Sequence, residues 1–240
     1  MPDAAHLMEE SVRAEDANQV AAACWLGRED IRHFGIAGRK KKLTGWQTYE
    51  ASILAGRPYY RKIAMDGRTL SPKQASGEDE RMDAELQYRG TTPWNEQAAN
   101  DRRIGFGLKS ALPCHDFKIL RAEELRGRKV WLVAGTLLPD APVPVTQSDG
   151  GLSSDLLAWV DQETKLTLRE ELTERKTWAR LRPGSTVILE FDFSQGLRLV
   201  SRILLRSAPN DKGKFTETEQ IYSDYKKFGA ESLIILQPQR

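Results

Sequence analysis

From Thr186 to Arg206 the chain reads TVILEFDFSQGLRLVSRILLR, two runs that change sides at nearly every residue. Val187, Leu189, Phe191 and Phe193 stand against Thr186, Glu190 and Asp192 in the first. Leu197, Leu199, Ile203 and Leu205 stand against Arg198, Arg202 and Arg206 in the second. A period of two places each set on its own face of an extended strand, and a helix cannot reproduce it. The SQG between the runs is a turn, so the pair reads as antiparallel strands.

The same period governs most of the chain. Ile31–Arg39 leads into the turn-rich, basic RKKKLTG, and Trp46–Ala55 returns with Tyr49, Ala51, Ile53 and Ala55 on one face. Tyr59–Met65 follows, with Tyr59, Ile63 and Met65 on one side, and completes a meander. After Pro113 the alternation resumes in His115–Glu124 and Lys129–Leu137, joined by the tight LRGR turn. Leu156–Asp161, Leu166–Trp178 and Phe215–Tyr225 complete the set, beyond a proline-rich loop, LPDAPVPVTQSDGG.

Roughly ten strands with one apolar face make a large antiparallel sheet whose apolar side must be covered. Two segments break the pattern. The N-terminal stretch over residues 3–26 is rich in Ala, Glu and Met and reads as a helix stopped by Gly27. Ser71 and Pro72 cap and start a second helix that continues through EDERMDAELQYR. Met82 and Leu86 give it a modest apolar edge, and a short further helix is expected from Pro93 to about Arg103. The expected fold is mainly β (α+β): a curved antiparallel sheet forming a half-barrel, covered on its concave side by helices. It forms one domain over residues 1–240, with the helical cover inserted at about 71–110.

Charge and composition exclude several functions. Lys+Arg of 36 against Asp+Glu of 34 lacks the concentrated positive excess of a nucleic-acid binder. Cys24 and Cys114 form no CxxC, and His6, His33 and His115 are scattered, so no metal site and no cofactor are expected. The two cysteines suit either a disulfide or two reduced thiols. No apolar run reaches the ~20 residues needed to span a bilayer as a helix. MPDAAHLMEES lacks the basic and apolar regions of a signal peptide, so an exported chain would have lost its leader.

The candidate chemistry is thin. Cys114-His115-Asp116 resembles a nucleophile, base and orienter, but on a strand Cys114 and Asp116 point away from His115. Arg39-Lys40-Lys41-Lys42, with Arg28 and Arg32 before it, could touch phosphates or lipid head groups, or be a solvated turn. Glu123-Glu124 and Glu170-Glu171 are adjacent on strands and point apart; pairing with a carboxylate elsewhere in the chain stays open. Gly105-Phe106-Gly107 lacks the strand–helix setting of a phosphate loop. Trp46, Tyr59, Trp131, Trp159, Phe191 and Phe193 fill a core or line an elongated cavity. The inner-face set read from alternation is Tyr49, Ile53, Tyr59, Ile63, Met65, Trp131, Val133 and Trp159. No catalytic residue and no metal ligand is assigned.

Several blocks carry a family resemblance: W46-QTYE-50 leading to GRPYYRKIAMDGRTLSPKQ, then EDERMDAELQYR, KILRAEELRGRKVWLV, LLAWVDQETKLTLREE and IYSDYKKFGAES. Together they resemble the outer-membrane lipoprotein-sorting (LolA-like) superfamily, in an uncharacterised bacterial branch, over roughly residues 30–230. The resemblance implies an exported, periplasmic protein, with a cytoplasmic location still open on sequence alone. It implies a carrier or binding protein for a hydrophobic ligand, the acyl chain of a lipid or lipoprotein, and no enzymatic activity. Peripheral membrane contact and an envelope protein partner are further expectations, and nucleic acid is not a partner. The alternatives are an envelope interaction or sensor module without bound lipid, and a hydrolase built on His33 or His115.

Overall fold

The structure is a computed structural model and describes residues 1–55, 57–91, 108–141, 153–177 and 181–228. The expected helix from Pro93 to Arg103, Gly105-Phe106-Gly107, Trp178 and loop residues 142–152 lie outside the described residues. Helix α1 spans Ala4–Ala22 and α2 spans Pro72–Thr91. The first strands are β1 (Trp25–Ala37), β2 (Lys40–Leu54), β3 (Arg57–Met65) and β4 (Arg68–Thr69). Then follow β5 (His115–Leu125), β6 (Arg128–Leu137), β7 (Ser154–Asp161) and β8 (Thr167–Glu174). The last are β9 (Thr186–Ser194), β10 (Leu197–Arg206) and β11 (Lys214–Lys227). They form an 11-stranded antiparallel sheet in the order β4-β3-β2-β1-β11-β10-β9-β8-β7-β6-β5. The chain is therefore mainly β, as the alternation requires.

Two compact units divide the chain: Met1–Ala22, Phe34–Lys42 and Arg102–Glu219 in the first; Ala23–His33, Leu43–Asp101 and Gln220–Arg240 in the second. In the first unit α1 packs on one face of strands β5–β10. Leu7, Met8 and Val12 of α1 are buried against Ile119, Val133, Leu156, Ala158, Val160, Leu172, Val187, Leu189 and Phe191. Cross-strand register assembles that face: Val133 lies opposite Ala158, Leu172 opposite Val187 and Leu189 opposite Ile203. The other face carries a charge ladder, with Arg169 2.9 Å from Glu190, Arg202 3.5 Å from Glu190, and Arg202 2.7 Å from Glu219. Opposite charges on neighbouring strands support one another and keep that face polar.

The β7–β8 turn is organised by Asp161, which is almost fully buried. Its carboxylate accepts from Arg128 Nε at 2.7 Å and from Thr164 N at 2.7 Å. Burial alone would raise this carboxyl, but Arg128 and the Thr164 donors outweigh it and hold it down to about 2. The β5–β6 hairpin turns at Arg126 and Gly127, both at positive φ (51° and 79°), the geometry that matches strand twist in a two-residue loop.

In the second unit, α2 guards a strand edge. β4 pairs with β3 only at Ala64 and Met65, so the rest of that edge needs other partners. Glu78 accepts from Lys62 N at 3.0 Å, Arg81 donates to Tyr60 O at 2.7 Å, and Arg89 donates to Leu54 O at 2.9 Å and Pro58 O at 3.1 Å. An edge covered this way cannot pair with another chain. The helix starts in the capping box that Ser71 announced: Ser71 N donates to Gln74 Oε1 at 2.9 Å, and Gln74 N to Ser71 Oγ at 3.4 Å.

Two boundaries differ from the sequence reading. The first helix ends at Ala22 rather than 26, and Gly27 lies inside β1 rather than stopping a helix. A Cβ on Gly27 would sit 2.9 Å from the Ser223 carbonyl oxygen and 3.1 Å from the Tyr225 ring, so the glycine serves close approach within the sheet. Of the basic run only Arg39 lies in the turn: Gly38, at φ 59°, starts it, and Lys40–Lys42 already belong to β2. Lys41 lies 2.5 Å from the buried Glu217 and its ammonium sits 4.0 Å from the Phe34 ring centroid.

Candidate functional site

The second unit holds a pocket of about 340 Å³, lined by Leu26, Gly27, Arg28, Glu50, Ala51, Ile63, Asp224, Lys226 and Phe228. Strand β1 supplies Leu26 and Arg28, two residues apart and so on one face, with Gly27 between them. β2 supplies Glu50 and Ala51, β3 supplies Ile63, β11 supplies Asp224 and Lys226 near its end, and Phe228 follows directly after it. Phe228 is fixed by its N–H donating to Cys24 O at 2.7 Å. Asp224 adopts φ 50°, a conformation that breaks the two-residue alternation of β11 there.

Four apolar side chains (Leu26, Ala51, Ile63, Phe228) therefore meet four charged ones. The charges are partly matched: Lys226 lies 3.8 Å from Glu50, and Arg28 lies 3.6 Å from Asp30. Tyrosines gather around Glu29 in the same unit, with Tyr222 donating to Glu29 Oε1 at 2.8 Å. Burial, then the Glu29 charge, raises the Tyr222 hydroxyl well above its ordinary range, and burial and Tyr60 raise Tyr225. These phenols stay neutral across physiological pH. Nothing in the pocket pairs a nucleophile with a base, and the arrangement can bind and orient but has no evident covalent step. Among the described residues no group of three or more His, Cys, Asp or Glu could hold a metal ion. No described helix is long and apolar enough to cross a membrane.

The residues singled out from alternation are distributed over several places. Ile63 lines the pocket. Tyr59 is buried toward α2, its hydroxyl 3.4 Å from Glu78 and its ring 4.7 Å from the Arg81 guanidinium; burial pushes its hydroxyl up to about 12. Tyr49 donates to Gln47 at 2.6 Å, while Ile53 lies opposite Pro58 and Met65 opposite Gln47 in the β2–β3 ladder. Val133 belongs to the core of the first unit, with Trp131 packed against it. Trp159 lies opposite Leu132, on the reverse face from Trp131, which lies opposite Val160. Its ring nitrogen donates to Glu123 at 2.6 Å and the Arg169 guanidinium sits 5.2 Å from its ring.

Cys114 is buried just before β5, and it and Cys24 are free thiols. His115 is buried with its ring nitrogens 2.8 Å from Ala111 O and 2.7 Å from Ser154 O, held by backbone and not by either neighbour. Leu26, Arg28, Asp224, Lys226 and Phe228 were missed by alternation. CWLGREDI, with apolar Cys24, Trp25 and Leu26 ahead of a lone glycine that a strand tolerates at close approach, was the available signal for a strand there.

No family model matches the chain, and no curated protein does. Solved structures do. A domain named for outer membrane lipoprotein sorting, from Vibrio parahaemolyticus, is similar at TM-score 0.41 and 11% identity, over 93% of this chain and 94% of that one. A DUF1329 family protein from Desulfovibrio piger is similar at TM-score 0.39 and 13% identity, over 94% and 93%. A LolA superfamily protein from Nitrosomonas europaea follows at 0.37 and 12%, over 95% of each chain. The likeness is to LolA-superfamily structures. It is a distant one.

Proposed function

We propose that the chain is an exported, periplasmic binding protein or carrier for a hydrophobic ligand, the acyl chain of a lipid or lipoprotein, and not an enzyme. The observation that carries this reading is the pocket of about 340 Å³ with Leu26, Ala51, Ile63 and Phe228 in its wall. That volume is at the lower end of the ~300–1,000 Å³ typical of ligand sites and suits a single chain segment. Arg28 and Lys226 at the same pocket would meet a carboxylate or phosphate head group, while the apolar wall takes the tail. Affinity would come from burial, about 0.8 kcal/mol for each methylene removed from water. The half-barrel with helices over its concave side, and a role in lipoprotein sorting, are parts of this proposal.

The test is titration with a fluorescent fatty acid and competition by unlabelled acids of increasing length. Affinity should rise roughly fourfold per methylene until the pocket is full and then level off. Ala51→Trp should fill the pocket and abolish binding while the β-sheet spectrum is retained. A competition curve independent of chain length, or full binding by Ala51→Trp, would remove the acyl-chain reading. A second reading, an envelope interaction or sensor module without bound lipid, is favoured by the filled face under α1. It predicts no uptake of the probe at all.

A further inference from the structure

Where α1 meets the sheet of the first unit, two carboxylates are buried against one cation. Glu15 comes from α1, Glu170 and Thr167 from β8, and Arg198 from β10. Arg198 Nη1 lies 3.1 Å from Glu15 and 3.8 Å from Glu170, and its guanidinium rests 3.9 Å from the Phe191 ring centroid. Glu170 has 5% of its side chain exposed and Glu15 15%. Two negative groups facing one positive group leave an uncompensated buried charge, which is the arrangement interiors avoid.

Hydrogen-bond counting removes the excess. Thr167 Oγ1 lies 2.9 Å from Glu170 Oε1 and also bonds Glu15 Oε1 and Arg198 Nη1. The guanidinium can only donate, so the hydroxyl accepts from it. The hydroxyl has one proton and gives it to one carboxylate. The other carboxyl group, at the same oxygen, must then donate, so it carries a proton. Two carboxylates sharing a site commonly resolve their repulsion this way.

We infer that Glu15 and Glu170 hold one proton between them, and that this proton governs how firmly α1 is docked on the β5–β10 face. The groups facing the pair from each packed element are few. Arg198 faces it from β10 and Thr167 from β8. Asp16, next along α1, adds negative charge and is itself held by Lys109 at 2.8 Å. Asn18 clamps the same end of α1 without charge, bonding the Arg198 backbone N–H and carbonyl at 2.8 Å each. Burial, and then the Glu15 charge, raises Glu170 to about 7 against the opposing pull of Arg198 and Thr167. Burial also raises Glu15.

The sign follows from linkage. A carboxyl whose folded pKa is raised stabilises the docked state fully below its unfolded value of about 4.5 and loses that contribution as pH rises through about 7. Below about 4.5 α1 is fully clasped, between there and about 7 the clasp weakens by up to about tenfold per pH unit, the yield of one proton, and above about 7 it levels off.

The experiment is hydrogen exchange of the α1 amides from Leu7 to Val12, corrected for intrinsic rates, from about pH 5 to about pH 8. It is run on the full chain and on Glu170→Gln, whose amide donates where the protonated carboxyl did. Protection in the native chain should fall by nearly tenfold between about pH 5.5 and 6.5 and level off above about pH 7.5, and in Glu170→Gln it should not change with pH. An infrared titration of the native chain with carbon-13 glutamate should show a protonated carboxyl that disappears near pH 7. That band keeps the test decisive should the variant fail to fold. Absence of a protonated carboxyl at pH 6, or equal pH dependence in native chain and variant, would overturn the inference.

Discussion

Under α1 the strands β5–β10 are closed so completely that Leu7, Met8, Ala158, Val160 and Val187 have no exposed surface. Around Gly27 the second unit leaves about 340 Å³ open. Both places are built from alternating strands, so alternation does not decide which face is filled. The helices do. α1 turns Leu7, Met8 and Val12 onto its sheet and acts as core. α2 buries Glu78 alone and directs Arg81 and Arg89 to the carbonyls of Tyr60 and Pro58 on β3. A sheet face stays available for a ligand when the helix of its own unit is occupied elsewhere.

Substitutions can break this contrast, and the largest effect should come from the filled face. Met8→Ala leaves a cavity beneath α1 and should cost about 2–5 kcal/mol in denaturant unfolding. Binding of the fatty-acid probe by the folded fraction should be unchanged. A lost probe signal in folded Met8→Ala would mean that the filled face, and not the pocket, takes the ligand.

Gly27→Val tests the open side. The new Cβ meets the Ser223 carbonyl oxygen, a backbone atom that cannot swing aside, and the Tyr225 ring. A loss of about 1–3 kcal/mol is expected, with a weaker probe signal from the reshaped pocket. Full stability would show that β1 and β11 approach less closely there. Arg89→Ala should have the smallest effect, about 1 kcal/mol, because water can reach part of the carbonyl row it serves. Its more telling readout is association: with the β3 edge uncovered, light scattering should show concentration-dependent growth. A monomeric Arg89→Ala would separate α2 from edge protection.

The sequence reading succeeded wherever the deciding signal was local. TVILEFDF and LRLVSRILLR are β9 and β10 within a residue of their expected ends, because side-chain alternation depends on nothing beyond the strand itself. LRGR turned where it should, since Gly127 suits the positive φ the loop demands. The site was harder. Trp131 and Trp159 were assigned to one face by parity, but antiparallel register pairs Trp131 with Val160 and Trp159 with Leu132, which sends them to opposite sides. That register depends on the partner strand, and irregularities such as the one between Thr48 and Tyr49 shift it again. Glu170 was read correctly as pointing away from Glu171, but its partner Glu15 is 155 residues away in sequence (170 minus 15), beyond any local pattern.

The central claim is that the open pocket holds an acyl chain. The most direct test is mass spectrometry of an organic extract from protein purified out of a bacterial periplasm, with lipid counted per chain. The account predicts a defined acyl species near one per chain, lost in Ala51→Trp. An extract free of lipid, from protein that also takes up no fluorescent fatty acid, would contradict it.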